Sequence, residues 1–357
     1  MRDSAIQRLR KWEQGKNAPP EKVQIYPTNI CNLNCIFCAQ QREDYGYDSE
    51  LSAQQWQEVT KNICEIGTER ILISGGGEPF CRPKATLNIM NEAKKNDIKG
   101  RIITNGTLID KTIAKKIIDL GWETVVFSID SPKAKIQDHL RGRKGAFSRS
   151  IENIKLLNSL KDEKKPNIEV NYILMNENYK KIPEMLQLCN KLKVSYINFE
   201  PITINNKVDK ELKITGKERK LLINQVIPSA EKLTDQLRVS SNLQSLKEIK
   251  TQKAGDMKDE IKNYSRETNK LSDSPCFEPW LWPKIEANGD VWPCSTVPMK
   301  ENVQEKNFAE IWYGEQFRKF RSKIKKGELP EDCNNCVTTH LKTNRDLRNK
   351  IRGKRDL

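Results

Sequence analysis

Three cysteines fall within eight residues, in the run Cys31-Asn-Leu-Asn-Cys35-Ile-Phe-Cys38. A loop with this three-then-two spacing can turn every sulfur inward onto one soft metal centre. Three thiolates do not complete a four-iron cube, so one iron would stay open to something other than a side chain, as catalytic metal sites keep one position open. A zinc site, or cysteines that share no ligand, are the plainer alternatives. Toward the other end lie Cys276, Cys294, Cys333 and Cys336, the last two forming a Cys-x-x-Cys knuckle. Four thiolates can fully ligate either a tetrahedral zinc or a second iron–sulfur cluster. Between the two sets stands Gly75-Gly76-Gly77-Glu78-Pro79. Glycines at a strand's end let backbone N–H and C=O groups face a ligand, although alone such a run is a tight turn.

The surrounding pattern supplies elements to hold these residues. Lys22 to Pro27 alternates as a short strand and delivers the chain to the first cysteine loop. A helix from Ser52 to Ile66, opened by Ser52 as its cap, precedes a strand from Arg70 to Ser74 that runs straight into the glycines. The period repeats through helix Pro83 to Asn96, strand Lys99 to Thr104, helix Asp110 to Leu120, strand Thr124 to Asp130, helix Phe147 to Leu160, strand Asn167 to Leu174, helix Ile182 to Leu192 and strand Tyr196 to Glu200. Such alternation predicts a parallel sheet with right-handed crossovers and chemistry at the carboxyl ends of the strands. Beyond Pro201 the pattern stops. Residues 205 to 269 read as charged helical stretches, with a packed helix over Leu221 to Leu237 that kinks at Pro228. Order returns with a hairpin from Pro283 to Cys294 through an Asn288-Gly289 turn, then a helix near Phe308 to Lys326. Thr104-Asn105-Gly106-Thr107 reads as a turn that could also line a pocket. Cys64, Cys81 and Cys189 read as ordinary buried thiols, and neither His139 nor His340 is assigned a ligand role.

The CxxxCxxC spacing, with Phe37 just before the third cysteine, resembles the radical S-adenosylmethionine (radical SAM) family, and the glycine run resembles that family's GGEP motif. The resemblance implies an α/β fold, a partial (β/α)6 TIM-like barrel. It implies a [4Fe-4S] cluster on Cys31, Cys35 and Cys38 whose open iron chelates S-adenosyl-L-methionine. Gly76, Gly77, Glu78 and Pro79 would meet the cofactor's amino group, Ser128 and Asn171 its ribose, and Arg141 its carboxylate through a bidentate fork. Cys276-x12-Gly289-x4-Cys294 followed by Cys-x-x-Cys, with Pro279-Trp280 after the first cysteine, resembles the SPASM and twitch extensions of that family. No cysteine follows Cys336, which suits the shorter twitch form with one auxiliary [4Fe-4S] cluster on Cys276, Cys294, Cys333 and Cys336 in a C-terminal α+β domain. The expected division is a lead-in helix over 1–21, the barrel over 22–203, a charged helical insert or linker over 204–272, the auxiliary-cluster domain over 273–345 and a basic tail over 346–357.

The chain has 357 residues, 36% hydrophobic and 31% charged, enough for one large domain with an appendage. No membrane span or secretion signal is read, and ten cysteines without one argue for reduced thiols used as metal ligands in a cytoplasmic protein. The net charge of +15 comes from lysines scattered along helices, so nucleic acid is not the expected partner. A fully cysteine-ligated auxiliary cluster has electron transfer as its natural task, and here the cysteine count resembles twitch-type aminocyclitol dehydrogenases. That resemblance implies a radical SAM oxidoreductase that dehydrogenates a sugar- or cyclitol-like or other small substrate, an anionic one included, with Glu200 as the first proton acceptor to test. Radical modification of a ribosomal peptide or protein, by crosslinking, thioether formation or epimerisation, is the alternative. The stretch before the first strand is short for a leader-recognition domain, which another chain could supply. A non-catalytic metal-cluster scaffold that binds nucleic acid is the reading from another class. An external reductant such as flavodoxin or ferredoxin is expected in either enzyme reading.

Overall fold

The computed structural model describes residues 2–38, 49–161, 165–202, 207–234, 236–247, 270–336 and 338–352. Among these residues nine strands make one sheet: β1 (Lys22–Ile25), β2 (Arg70–Ile73), β3 (Lys99–Thr104), β4 (Thr124–Ser128), β5 (Asn167–Leu174), β6 (Tyr196–Pro201), β7 (Ser240–Ser241), β8 (Lys284–Ile285) and β9 (Val291–Trp292). Their order is β7-β6-β5-β4-β3-β2-β1-β8-β9. All neighbours run parallel except the β8–β9 hairpin.

Helices α1 (Arg2–Glu13), α2 (Ala53–Glu65), α3 (Pro83–Lys95), α4 (Lys111–Asp119), α5 (Ala134–Leu140), α6 (Ala146–Leu160) and α7 (Ile182–Lys191) accompany the first six strands. The Ser52 cap works as its type predicts, its hydroxyl accepting from the Gln55 N–H while the Gln55 side chain returns to the Ser52 N–H. Along each strand one face is apolar and buried against the helices, as with Ile25, Ile73, Phe127, Val170 and Phe199. The alternate residues Gln24, Ser128, Asn171, Asn198 and Glu200 are polar and partly exposed. A closed TIM barrel fills its interior with branched apolar side chains. Here that face is polar, as a partial barrel that receives a ligand requires.

Past Pro201 the barrel does not end as the pattern suggested. A helix at Lys207–Leu212, a second at Gly216–Leu221, a turn of π-helix at Leu222–Val226 and a helix at Ile227–Thr234 lead to β7, which pairs with β6 at Tyr196↔Ser240 and Ile197↔Ser241. A two-residue Ser-Ser strand carries no apolar alternation to detect. The irregular turn just before Pro228 is where the expected kink falls, because proline has no N–H for the helical ladder. Residues 248–269 of the expected insert and 353–357 of the tail lie outside the described residues.

In the C-terminal part the helix expected from Phe308 to Lys326 is two, Phe308–Trp312 and Glu315–Lys325, separated at Tyr313 and Gly314. Helix α1, expected as a mere lead-in, packs there instead: Ala5 and Leu9 join Phe277, Trp280, Leu281, Ile324 and Leu347 in a second core. Among the described residues no helix is long and apolar enough to cross a membrane.

Candidate functional site

The first cysteine loop leaves the carboxyl end of β1 and lies against the glycine turn that ends β2. The Gly77 N–H donates to Thr28 O at 2.7 Å and the Glu78 N–H to Ile30 O at 2.9 Å. A Cβ on Gly77 would stand 1.9 Å from Ile30 O, so glycine is required by close approach. With those N–H groups engaged, the turn's carbonyls remain as the polarity suited to an ammonium donor. The Glu78 carboxylate is buried. It accepts from Thr104 Oγ1 at 2.6 Å, the Asn105 N–H at 2.6 Å and the Phe80 N–H at 3.2 Å. Burial pushes this carboxyl up from its ordinary value, and the three donors oppose it.

Other contacts fix the loop from further sides. Asn32 Nδ2 donates to Thr107 Oγ1 at 2.8 Å and Asn105 Nδ2 to Asn32 Oδ1 at 2.9 Å, so the Asn-Gly turn after β3 holds the cysteine loop. Glu50 accepts from Thr28 Oγ1 and the Asn29 N–H and pairs with Arg82 at 2.9 Å. Cys31 is exposed, Cys35 and Cys38 half-buried. Burial, followed by Glu78, Cys35 and Cys81, pushes the Cys31 thiol up to about 12. Cys81, read as an ordinary buried thiol, is half-buried and close enough to Cys31 to share that influence.

Residues 140–142 after α5 clamp the loop around Cys35. The Asn34 N–H donates to Arg141 O at 3.2 Å and the Ile36 N–H to Leu140 O at 3.0 Å. Gly142 has φ +63°, and a Cβ there would lie 1.9 Å from Asn34 O. The Arg141 guanidinium is buried, pairs with Asp130 at 2.5 Å and lies 3.7 Å from Cys35 Sγ. Burial opposes this cation, but Asp130 and Cys35 outweigh it and hold its pKa above the usual guanidinium value. Its Nε–H is buried without a partner among the described residues, the donor left for a carboxylate.

Ser128, Asn171 and Asn198 stand in one row across β4, β5 and β6 through the pairings Ser128↔Asn171 and Asn171↔Asn198. Asn171 Oδ1 is buried without a partner among the described residues. Glu200, half-buried, accepts from Asn198 Nδ2 at 2.7 Å. Glu200 thus stands on the same polar face, two residues beyond the row of Ser128, Asn171 and Asn198.

The second cysteine set lines a small hollow, with Cys276, Cys294, Cys333 and Cys336 set among Pro279, Phe320, Ile324 and Leu329. Among the described residues no three His, Cys, Asp or Glu side chains close on one point as around a single ion; these thiols line a space. Burial is the first cause that pushes up Cys276, Cys294 and Cys333, the last to about 12, so metal must displace thiol protons. Asn344 Nδ2 lies 3.7 Å from Cys276 Sγ, and the Val297 N–H donates to Cys294 Sγ at 3.4 Å.

Several working residues escaped the sequence reading. Asp130, which fixes Arg141, also accepts from the Ile173 N–H at 2.8 Å. Lys284 and Glu286 form a buried pair at 2.6 Å on the strand beside β1. Their spacing matches no motif, and α5, which sets the position of Arg141, spans only seven residues with no side-chain cap. The Asp directly after an apolar strand was the one available hint.

The residues present fit a cluster and S-adenosylmethionine. A three-thiol loop meets a glycine cradle that a Cβ would fill, and the unpartnered Arg141 Nε–H and Asn171 Oδ1 supply a donor and an acceptor. A partial α/β barrel with soft ligands at its rim and a second thiol-lined hollow defines an iron–sulfur protein of the barrel type. The family described as the radical SAM superfamily matches residues 25–189, and that described as the SPASM iron–sulfur cluster-binding domain matches residues 276–337. The chain thus carries a radical SAM domain followed by a SPASM-type iron–sulfur cluster-binding domain. Radical SAM domains bind S-adenosylmethionine and a [4Fe-4S] cluster, and SPASM domains bind auxiliary iron–sulfur clusters.

Among curated relatives, the Fe-coproporphyrin III synthase of Methanosarcina barkeri is 30% identical over 172 residues, 48% of this chain and 41% of that protein. The AdoMet-dependent heme synthase of the same organism is 24% identical over 320 residues, 89% and 88% of the two chains. The PqqA peptide cyclase of Gluconobacter oxydans is 22% identical over 333 residues, 89% and 83%. The fold is shared with Streptococcus suis SuiB bound to its precursor peptide SuiA, at TM-score 0.63 and 21% identity over 88% of this chain and 69% of that one. It is also shared with anSMEcpe with bound AdoMet, at TM-score 0.62 and 16% identity over 92% and 96%.

Proposed function

We propose that this enzyme holds its first [4Fe-4S] cluster on Cys31, Cys35 and Cys38 and oxidises a polar substrate held on the face of β4–β6, passing an electron to an auxiliary [4Fe-4S] cluster on Cys276, Cys294, Cys333 and Cys336. The observation that carries this reading is the pairing of β8 with β1, at Gln24↔Lys284 and Ile25↔Ile285. One strand pair ties the loop that follows β1 to the hairpin that ends in Cys294, so the two thiol sets share a rigid frame.

Held at a cluster on Cys31, Cys35 and Cys38, S-adenosylmethionine would supply the means to remove a hydrogen atom from a substrate C–H bond. The protein's own residues do the rest. Gly76, Gly77, Glu78 and Pro79 present backbone to the cofactor's amino group, Ser128 and Asn171 offer hydroxyl and amide to its ribose, and the Arg141 Nε–H faces its carboxylate. Glu200, placed by Asn198, accepts the proton that a substrate radical must shed before its electron leaves.

The sugar- or cyclitol-like class suits the polar Asn198 and Glu200, which share the face of β4–β6 beyond the residues given to the cofactor. Modification of a peptide is a second reading, favoured by likeness to the PqqA peptide cyclase over 89% of this chain. Anaerobically reconstituted enzyme, given dithionite and S-adenosylmethionine, should release 5′-deoxyadenosine and bind about eight irons per chain. Candidate cyclitols and peptides deuterated at carbon then separate the two readings: the true substrate passes deuterium into 5′-deoxyadenosine. Four irons with one zinc would refute the auxiliary electron acceptor.

A further inference from the structure

We propose that Arg141 is a positioning residue that acts through Cys35, donating an N–H···S hydrogen bond that raises the reduction potential of the first cluster whether or not S-adenosylmethionine is bound. The inference rests on the reading that Cys35 ligates that cluster.

The guanidinium is held at three points. Nη2 pairs with Asp130 at 2.5 Å, Nη1 reaches Cys35 Sγ at 3.7 Å, and the group lies 5.4 Å from the centre of the Phe37 ring. Asp130 is fully buried and itself fixed by the Ile173 N–H at 2.8 Å, so it does not yield. The backbone of Leu140 and Arg141 receives the N–H groups of Ile36 and Asn34, which brackets Cys35 from both sides. Side chain and main chain of one short segment therefore grip the same residue.

Reduction places an extra electron on irons and their sulfur ligands. A hydrogen bond to a ligand sulfur stabilises the more negative, reduced form more than the oxidised one, which moves the potential up. The effect is stronger in a buried site, where the local dielectric is low. Asp130 offsets the net charge of Arg141, so no lone buried cation remains and the directed N–H acts locally. Cys276 and Cys294 receive neutral donors from Asn344 and Val297, whereas Cys35 is given a charged one.

The test uses holoenzyme without S-adenosylmethionine. Potentiometric titration followed by electron paramagnetic resonance should show an Arg141→Gln variant with the reduced-to-oxidised ratio of its first cluster lowered about tenfold at fixed poise, or about 59 mV for one electron. The auxiliary cluster should not move. An unshifted first-cluster potential in an iron-replete variant overturns the inference and leaves Arg141 as a cofactor ligand only. Independently of whether the variant assembles, wild-type enzyme labelled with guanidino-15N arginine supplies a second measurement. Pulsed resonance on its reduced first cluster should detect a 15N coupling, and none overturns the inference. If the wild type forms no first cluster at all, the reading of Cys31, Cys35 and Cys38 fails instead, a result distinct from a cluster that forms but lacks the coupling.

Discussion

Gly77→Ala is the sharpest test of how the glycine turn and cysteine loop depend on each other. The new methyl would lie 1.9 Å from Ile30 O, 2.4 Å from Ile30 C and 2.6 Å from Asn29 C, all backbone atoms that no rotamer change can move. Relief requires the two loops to part by more than about 1 Å, which forfeits the 2.7 Å and 2.9 Å hydrogen bonds to Thr28 O and Ile30 O. Two such bonds at about 1 kcal/mol each, with residual strain, give a loss of about 3 kcal/mol. For a chain of this length that lowers Tm by about 4 °C in anaerobic thermal unfolding. Because the displaced residues abut Cys31, iron bound after reconstitution should fall from about eight toward about four per chain, and 5′-deoxyadenosine release should cease. The control is Gly121→Ala, at φ +63° with nothing within 4 Å of its Cβ, which costs about 1 kcal/mol and should leave iron content intact. A Gly77→Ala enzyme that matches the control in Tm and iron would refute the argument.

Cys35→Ala should bind about four irons, all auxiliary, and release no 5′-deoxyadenosine; retained release would remove Cys35 from the proposed ligand set. Cys294→Ser should show the reverse, with auxiliary irons lost and substrate-independent cofactor cleavage kept, and product formation that survives would argue against the electron-acceptor role. Glu78→Gln turns an amide N–H toward groups that are themselves donors and should cost about 2–3 kcal/mol in unfolding free energy. Burial opposes the Glu123 carboxylate, but Lys94 at 2.6 Å, the Gly100 N–H at 2.7 Å and Lys165 at 3.1 Å outweigh it and hold its pKa below the usual value. Its contribution is therefore present above about pH 4.5 and lost as pH falls through the lower folded value, and Glu123→Gln should flatten that acid limb by at most about 1 kcal/mol.

The first six strands were legible because β1, β5 and β6 alternate a buried apolar face with a more polar one, and β2, β3 and β4 are short apolar runs rich in Ile and Val set between helical patterns. The Ser-Ser strand β7 was not, since only its register against Tyr196 and Ile197 makes it a strand. Nor was the place of α1, whose Ala5 and Leu9 find partners more than 250 residues away. That the thiol sets could ligate metal was readable from type and spacing, while the choice between zinc and iron–sulfur came from the family resemblance. The sequence gives no comparable notice of Asp130 or Glu50, single acids whose roles arise from what they face.

By itself the amino-acid sequence determined that one cysteine group and a glycine turn would sit at strand ends of a repeating strand–helix pattern and that a second cysteine group would follow where that pattern has stopped, because thiol spacing and hydrophobic period are local properties. Only the tertiary structure decided that β8 lies beside β1, that Glu78 turns inward to Thr104, and that Arg141 reaches Cys35 while paired to Asp130. Those contacts join residues far apart in the chain, and their formation depends on burial and register that no local window contains.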